Sequence, residues 1–337
     1  TEDFILNAAQ RAEVIAGLNQ ILPAHSVLHE VEDTKPYECD GLSLFRQLPM
    51  VVALPETEDQ VIQILKLAHK LNVPVVARGA GTGLSGGAQP HKHGILLGMA
   101  KFNKILKVDV QSRSAVVQPG VRNLAISEAV AQHQLYYAPD PSSQIACTIG
   151  GNVAENSGGV HCLKYGLTVH NVLKVRAITI EGEIVEFGSE APDAPGLELL
   201  NLVIGSEGML AVVTEVTVKL VPKPALAQVI MASFDDVANA GNAVAAVIAA
   251  GIIPAGLEMM DKRASQMVEP FVKAGYDTEA EAILLLESDG TPEEVAEEIA
   301  EMTRVLNGCG ATAIKVSQSE AERLKFWAGR KNAFPAA

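Results

Sequence analysis

The stretch RGAGTGLSGG at residues 78–87 decides how this chain is interpreted, because five of its ten residues are glycine. It directly follows an apolar run at residues 73–77 that predicts a strand. Glycine tolerates positive φ angles and close approach of a ligand to the backbone, so the exposed N–H groups of such a loop can wrap a diphosphate. A flexible turn without a ligand is the alternative, and the length and position of the loop favour the ligand.

The loop fits neither of the two best-known phosphate-binding motifs. Three of its glycines have the spacing GxGxxG, but a Rossmann turn continues directly into a helix. Residues 88–94 include Pro90 and Gly94 and predict no helix, and no acidic residue follows about 20 positions later at the tip of a second strand. A P-loop is excluded because no Lys-Ser/Thr pair ends the loop. We therefore predict a phosphate site of another kind.

Three further segments combine glycine or proline with small polar side chains. They are PDPSS at residues 139–143, TIGGNVAENSGG at residues 148–159 and IGSEGML at residues 204–210. Flat ligands need such close backbone approach together with a few fixed donors. Taken alone, each segment is equally compatible with an ordinary tight turn.

Composition limits the class of protein. A length of 337 residues, with 48% hydrophobic and 20% charged residues, predicts a globular chain of about two domains. The net charge of −14 argues against nucleic acid and anionic lipid as partners. The acidic N-terminus does not resemble a signal peptide, and the most apolar stretch, residues 243–257, is too short to span a bilayer. Four scattered cysteines without a CxxC motif indicate reduced thiols in the cytoplasm.

The pattern of strands and helices predicts an α+β fold. Residues 1–48 form an N-terminal segment that begins with a helix over residues 1–25, and residues 49–224 form the first domain. The linker around Val221–Pro224 leads to a second domain at residues 225–337, where strands alternate with helices. Thr57 and Gln60 have the spacing of a capping box, which predicts the start of a helix.

Together, the four glycine- and proline-rich segments resemble the FAD-linked oxidases of the vanillyl-alcohol-oxidase type. The resemblance extends from Pro49 to Ala337 and is closest in the branch of glycolate oxidase and D-lactate dehydrogenase, with LKYGLT at residues 163–168 most similar to the catalytic subunit of glycolate oxidase. It implies a PCMH-type FAD-binding domain of two α/β subdomains, followed by a ferredoxin-like α+β substrate domain that is incomplete in this sequence.

The resemblance also implies a set of residues that contact FAD. The first loop would hold the pyrophosphate, and the later segments would line the isoalloxazine and the adenine. The residues assigned to FAD in this way are Pro74, Arg78, Gly79, Ala80, Gly81, Thr82, Gly83, Leu84, Ser85, Pro139, Asp140, Pro141, Ser142, Thr148, Gly150, Gly151, Asn152, Ala154, Asn156, Gly159, Glu207, Gly208 and Val213.

The mode of FAD attachment follows from what the first loop lacks. Some members of the superfamily attach the flavin to a histidine in this loop, and here the loop contains none, so we expect noncovalent FAD. Cys147 lies near the position of a cysteine tether in a few members, but a small buried residue is the favoured interpretation.

The motif FWAGRK at residues 326–331 resembles the Trp-x-x-Arg that the family uses to hold the substrate carboxylate. It implies that Arg330 binds the carboxylate of a short 2-hydroxy acid, glycolate or D-lactate, through two parallel hydrogen bonds. An ordinary basic residue late in a helix is the alternative, and spacing alone favours it. The implied reaction transfers a hydride to flavin N5.

The resemblance also implies partner subunits, and two alternative functions remain open. Electrons would pass to an iron–sulfur subunit and a second flavin-fold subunit, so the protein would be cytoplasmic and reach the inner membrane only through these partners. The first rival is a noncatalytic FAD-binding subunit of a glycolate oxidase complex. The second is a peptidoglycan-precursor reductase, which shares the FAD fold but uses NADPH.

Two family features are missing from the 337 residues: the metal-binding stretch HxGDGNxH and a later Glu-His pair. We therefore expect a fragment of a longer subunit, with a divalent metal only in the part that is missing and no metal ligands here. His91 and His93 have no third ligand nearby in sequence, so a solvated loop is favoured for both. His161 and His170 are expected to be structural histidines with satisfied hydrogen bonds.

Overall fold

The computed structural model describes residues 5–191 and 196–336, and it consists of two compact units. One unit comprises Thr1–Ser157 and Leu167–Val221, and the other comprises Gly158–Gly166 and Pro222–Ala337. The helices are α1 (Ala8–Ile21), α2 (Val31–Thr34), α3 (Glu58–Lys70), α4 (Asn123–Val130), α5 (Ile149–Glu155), α6 (Cys162–Tyr165), α7 (Thr168–Asn171), α8 (Leu200–Val203), α9 (Val237–Ala249), α10 (Lys262–Val272), α11 (Pro292–Gly308) and α12 (Glu320–Ala336). The strands are β1 (Val27–Leu28), β2 (Val51–Ala53), β3 (Val75–Arg78), β4 (Ile95–Gly98), β5 (Ile105–Asp109), β6 (Ser114–Val117), β7 (Leu135–Tyr136), β8 (Val172–Ile178), β9 (Ile184–Gly188), β10 (Val212–Lys219), β11 (Val221–Pro222), β12 (Leu226–Phe234), β13 (Gly256–Asp261), β14 (Ala282–Gly290) and β15 (Ala313–Val316).

The first sheet of the first unit has the strand order β1-β2-β4-β3, with β2, β4 and β3 parallel. Helix α3 connects β2 to β3, and its apolar residues Val61, Ile64, Leu65 and Ala68 recur at helical spacing and are buried. Thr57 and Gln60 form the predicted capping box at its start. Because β3 ends at Arg78, the glycine-rich loop leaves the carboxyl edge of a parallel sheet, where ligands bind in open α/β sheets.

The second sheet of the first unit is antiparallel and has the order β5-β6-β10-β8-β9. Alternate residues of β10, from Val212 to Val218, are buried as the period of two predicts. Helix α5 was not predicted, because Gly150 and Gly151 lower helix propensity. Burial of Ile149 and Val153 in the core of this sheet overrides that local preference.

The second unit contains one antiparallel sheet with the order β13-β14-β12-β15. Helix α9 connects strand β12 to β13, and helix α11 connects strand β14 to β15. Two such β-α-β units in one antiparallel sheet form the ferredoxin-like arrangement. Helices α9 and α11 pack with one apolar core, and α10 and α12 contribute to another. The predicted α+β class is confirmed by these sheets and helices.

The predicted N-terminal helix is shorter than its sequence pattern. The helix predicted over residues 1–25 begins at Ala8 and ends at Ile21, because Asn7 and Gln10 form a capping box and Pro23 follows the end. Helix α4 ends at Val130, and a short 3₁₀ turn at Ala131–His133 follows it. The boundaries 1–48, 49–224 and 225–337 remain predictions. Within the described ranges, no helix is both long and apolar enough to cross a bilayer.

Candidate functional site

The glycine loop, residues 79–87, packs against two other segments that the sequence singled out. A side chain at Gly79 would collide with Thr148 Oγ1, and one at Gly83 would collide with the Glu155 carboxylate. A side chain at Gly87 would collide with the Glu207 carboxylate. The fold therefore brings the loop, α5 and the 204–210 segment to one place, and the lack of side chains at these glycines lets the segments approach closely.

These segments enclose a cavity of about 180 Å³ in the first unit. Most of the residues assigned to FAD line this cavity. They are Arg78, Gly79, Ala80, Gly81, Thr82, Gly83, Pro141, Thr148, Gly150, Gly151, Asn152, Ala154, Glu207, Gly208 and Val213.

The remaining assigned residues lie outside the cavity lining. Asn156 ends α5 in the left-handed conformation and accepts a hydrogen bond from Val169 N at 3.0 Å. Gly159 belongs to the second unit. The others in this group are Pro74, Leu84, Ser85, Pro139, Asp140 and Ser142. For every assigned residue, contact with FAD stays a prediction.

The cavity also contains lining residues that the sequence reasoning missed. Met99 follows β4 and Pro119 follows β6, and neither position carries a sequence signal for a ligand. Glu155 and Ser157 belong to the TIGGNVAENSGG segment, so that motif could have indicated them. The other additional lining residues are Ala77, Gly87, Ala88, Ser143, Cys147, Ala211 and Val212.

Arg78 holds the glycine loop in place. Its side chain is buried, and its Nη1 donates to the carbonyl oxygens of Cys39 at 2.8 Å and Ala88 at 3.2 Å. Asp40 Oδ2 accepts a hydrogen bond from Gly86 N at 2.8 Å. Both ends of the loop are therefore tied to residues 39–40, and burial lowers the pKa of the Arg78 guanidinium.

The loop presents donors that have no acceptor. Within the described part of the chain, the backbone N–H groups of residues 80–83 form no hydrogen bond. These residues are partly or fully exposed, whereas Thr148 Oγ1, which lines the same cavity, is buried without a partner there. Leaving the buried Thr148 hydroxyl unpaired costs about 1–3 kcal/mol, so the cavity favours a polar ligand that pairs with it. Consecutive N–H groups suit a diphosphate, and these residues therefore fit FAD.

Three carboxylates, those of Asp40, Glu155 and Glu207, lie close to the loop. Burial raises the pKa of Glu155, and the neighbouring carboxylates of Glu207 and Asp40 raise it further. Cys147 is buried in the cavity wall, its Sγ accepts from Asn152 Nδ2 at 3.5 Å, and burial raises the pKa of its thiol. A thiol held in its protonated form is a poor nucleophile.

In the second unit, Glu287 on β14 is buried beneath α12 with only 2% of its side chain exposed. It accepts hydrogen bonds from Arg323 Nη1 at 2.9 Å and from Trp327 Nε1, and its Oε1 lies 3.1 Å from His161 Nε2. Burial alone would raise the pKa of Glu287, but these donors outweigh it and hold the pKa below its usual value. His161 is therefore a structural histidine in this cluster.

Replacing Glu287 with alanine should destabilise the protein by about 3–5 kcal/mol, because the buried Trp327 and the partly buried His161 and Arg323 would lose their acceptor. Urea unfolding followed by circular dichroism measures this difference. The control is Glu320→Ala, which removes an exposed carboxylate from the same Arg323 and should cost less than about 1 kcal/mol. Equal losses of unfolding free energy in both variants would show that the hydrogen bonds to Glu287 do not stabilise the second unit.

Arg330, to which the substrate carboxylate is assigned, is one-third exposed near the end of α12, and its Nε donates to Glu258 Oε2 at 2.8 Å.

His91 and His93 lie in the loop before β4 with ring centroids 6.3 Å apart. Within residues 5–191 and 196–336, no group of three or more His, Cys, Asp or Glu side chains is arranged to hold a metal ion.

Comparison with known families and proteins identifies relatives across the chain. Residues 49–188 match the FAD binding domain family, and residues 223–337 match the C-terminal domain of FAD linked oxidases. The chain is 58% identical over 334 residues to glycolate oxidase subunit GlcD of Escherichia coli K12, which covers 99% of this chain and 67% of that protein. It is 36% identical over 277 residues to D-lactate dehydrogenase of Archaeoglobus fulgidus, covering 82% of this chain and 61% of that one.

Solved structures share the fold at low sequence identity. Alkyldihydroxyacetonephosphate synthase superposes with a TM-score of 0.80 at 19% identity, over 100% of this chain and 64% of its own. p-Cresol methylhydroxylase superposes with a TM-score of 0.82 at 15% identity, over 98% and 72% respectively.

The chain spans about two thirds of the length of the curated relatives it matches. The resemblance and the fold class predicted from the sequence are both confirmed by these matches. On the identity to its relatives and the two matching domains, this chain belongs to the family of FAD-linked oxidases.

Proposed function

We propose that this protein binds FAD noncovalently in the cavity of the first unit and oxidises a short 2-hydroxy acid, glycolate or D-lactate, to the 2-oxo acid. The observation that carries the proposal is the set of unpaired N–H groups at residues 80–83 beside the unpaired Thr148 hydroxyl. The relatives named glycolate oxidase subunit and D-lactate dehydrogenase support the substrate class. Bound FAD supplies the hydride acceptor at N5.

The chain's own residues have three roles in this proposal. The N–H groups of residues 80–83 donate to the diphosphate, and Thr148 Oγ1 donates or accepts one further hydrogen bond. Arg330 binds the substrate carboxylate and orients the 2-hydroxy group. Small residues at the loop keep side chains out of the space that the cofactor needs.

Noncovalent attachment is supported by the chemistry of the cavity wall. The glycine loop contains no histidine, and the Cys147 thiol is held protonated by burial. Acid precipitation of the purified protein should leave the flavin in the supernatant. Flavin that stays with the precipitated protein would contradict this mode of binding.

We also propose that electrons leave for partner subunits, an iron–sulfur protein and a second flavin-fold protein. A relative that is itself called a subunit supports a complex. The protein would be cytoplasmic and would meet the inner membrane only through these partners.

The substrate proposal is tested by incubating the FAD-loaded protein with glycolate, D-lactate and L-lactate and an artificial electron acceptor. Formation of glyoxylate or pyruvate supports it, whereas no 2-oxo acid from any substrate contradicts it.

FAD affinity should fall as the pH rises. Glu155 faces the loop together with Glu207 and Asp40, and its raised pKa means that it ionises above the usual carboxyl value of 4.5. Its negative charge then opposes the diphosphate, so the loss of affinity begins as the pH passes this raised pKa. Glu155→Gln should bind FAD several-fold more tightly at high pH and show a flatter pH profile.

Fluorescence titration of FAD across the pH range measures this effect. Glu128→Gln, which removes an exposed carboxylate from α4 in the same unit, is the matched control and should keep the parental profile. A Glu155→Gln profile that coincides with the parental one would contradict a diphosphate beside this carboxylate.

A further inference from the structure

The ion pair between Arg330 and Glu258 occupies only part of the guanidinium. Arg330 Nε lies 2.8 Å from Glu258 Oε2, and the two side chains are 35% and 22% exposed. Within the described part of the chain, Nη1 and Nη2 of Arg330 have no hydrogen-bond partner. Arginine carries five donors in a planar fork, so one edge, Nη1–Nη2, remains available for a second carboxylate.

The backbone of α12 near Arg330 is held by contacts that do not involve Glu258. Tyr276 Oη donates to the carbonyl oxygen of Phe326 and accepts from Gly329 N at 3.0 Å. Trp327 packs over Gly256, where an added Cβ would lie 3.0 Å from the indole ring. Removal of Glu258 should therefore free the Arg330 side chain without displacing the helix.

The backbone of Glu258 is held in place by strand pairing in the sheet. It pairs with Leu285 of the central strand β14, two residues along β13 from Gly256 and therefore on the same face of the sheet as Gly256. Its carboxylate thus reaches Arg330 from a rigid strand, whereas Arg330 alone has several flexible torsions. A carboxylate that restrains such a side chain reduces the entropy lost when a ligand binds.

We propose that Glu258 is a positioning residue that holds Arg330 by Nε, so that the Nη1–Nη2 edge meets the substrate carboxylate. This inference rests on the proposed function, in which Arg330 binds the carboxylate of a 2-hydroxy acid. It adds that the clamp consists of two residues and that the substrate carboxylate binds beside Glu258 without replacing it.

Steady-state kinetics of the FAD-loaded variants test the proposal. Glu258→Ala should raise KM for the 2-hydroxy acid about tenfold and change kcat less than about threefold, since binding geometry is lost while the flavin site is intact. Glu258→Gln keeps an oxygen acceptor for Nε and should recover part of the affinity. Glu301→Ala, which removes the exposed partner of Arg304 on α11, is the matched control and should leave KM unchanged.

A double-mutant cycle separates positioning from a general structural effect. Lysine lacks the forked guanidinium, so Glu258→Ala should have no further effect on KM in an Arg330→Lys background. Additive effects of the two substitutions would overturn the proposal. If Arg330→Lys raises KM but Glu258→Ala alone does not, the positioning role fails and the proposed clamp stands. If Arg330→Lys leaves KM unchanged, the clamp itself fails.

Discussion

Gly83→Asp should yield folded protein that has lost its yellow colour, with FAD affinity reduced at least about 100-fold. A Cβ at Gly83 already collides with the Glu155 carboxylate, so an aspartate places a second negative charge against it. The same side chain enters the space beside the N–H groups of residues 80–83, where the diphosphate is proposed to bind. The ratio of flavin absorbance to protein absorbance after purification measures the loss.

Gly241→Asp is the matched control for this change. Gly241 lies on the exposed face of α9 in the second unit, and an added Cβ there meets nothing within 4 Å. This variant should keep its full flavin content. A Gly83→Asp protein with normal flavin absorbance would contradict the placement of the diphosphate at the glycine loop.

Arg330→Ala should lower kcat/KM for the 2-hydroxy acid by about 30- to 5,000-fold while flavin content stays normal. A charge-assisted pair of hydrogen bonds to a carboxylate is lost, which costs about 2–5 kcal/mol, and each 1.36 kcal/mol corresponds to a factor of ten. Glu258 would also be left beside the substrate carboxylate without its cation, which adds repulsion. Steady-state kinetics of the FAD-loaded variant measure the change.

Arg304→Ala controls for the loss of an arginine from the same unit. Arg304 is exposed on α11 and pairs only with Glu301 among the described residues, so kcat/KM should not change. Parental kcat/KM in the Arg330→Ala variant would show that the carboxylate is bound elsewhere.

The sequence predicted the fold class and the position of the glycine loop, because both depend on local patterns. Alternating apolar residues indicate strands, and clustered glycines indicate close backbone approach. The order of the strands and the exact wall of the cavity depend on contacts between distant residues. Met99 and Pro119 reach the cavity only because β4 and β6 end beside it, and no local pattern marks such positions.

The buried cluster around Glu287 shows a second limit of sequence reasoning. His161 and Glu287 are 126 positions apart, and each residue alone is compatible with an exposed polar side chain. Residues 277–301 are rich in Asp and Glu and contain no Lys or Arg, yet Glu287 and Asp289 within this run are buried. Lys164 pairs with Asp289, so the LKYGLT segment supplies a cation that the run itself lacks. Burial of a charge depends on such distant partners.

Anaerobic reduction of the bound flavin tests the central claim most directly. The FAD-loaded full-length protein is mixed with glycolate or D-lactate in the absence of oxygen and of any partner, and the flavin absorbance is followed. We expect at least one of these substrates to bleach the flavin, and Arg330→Ala to bleach far more slowly at the same concentration. A flavin that neither substrate bleaches, or that NADPH bleaches instead, would contradict oxidation of a 2-hydroxy acid by this protein.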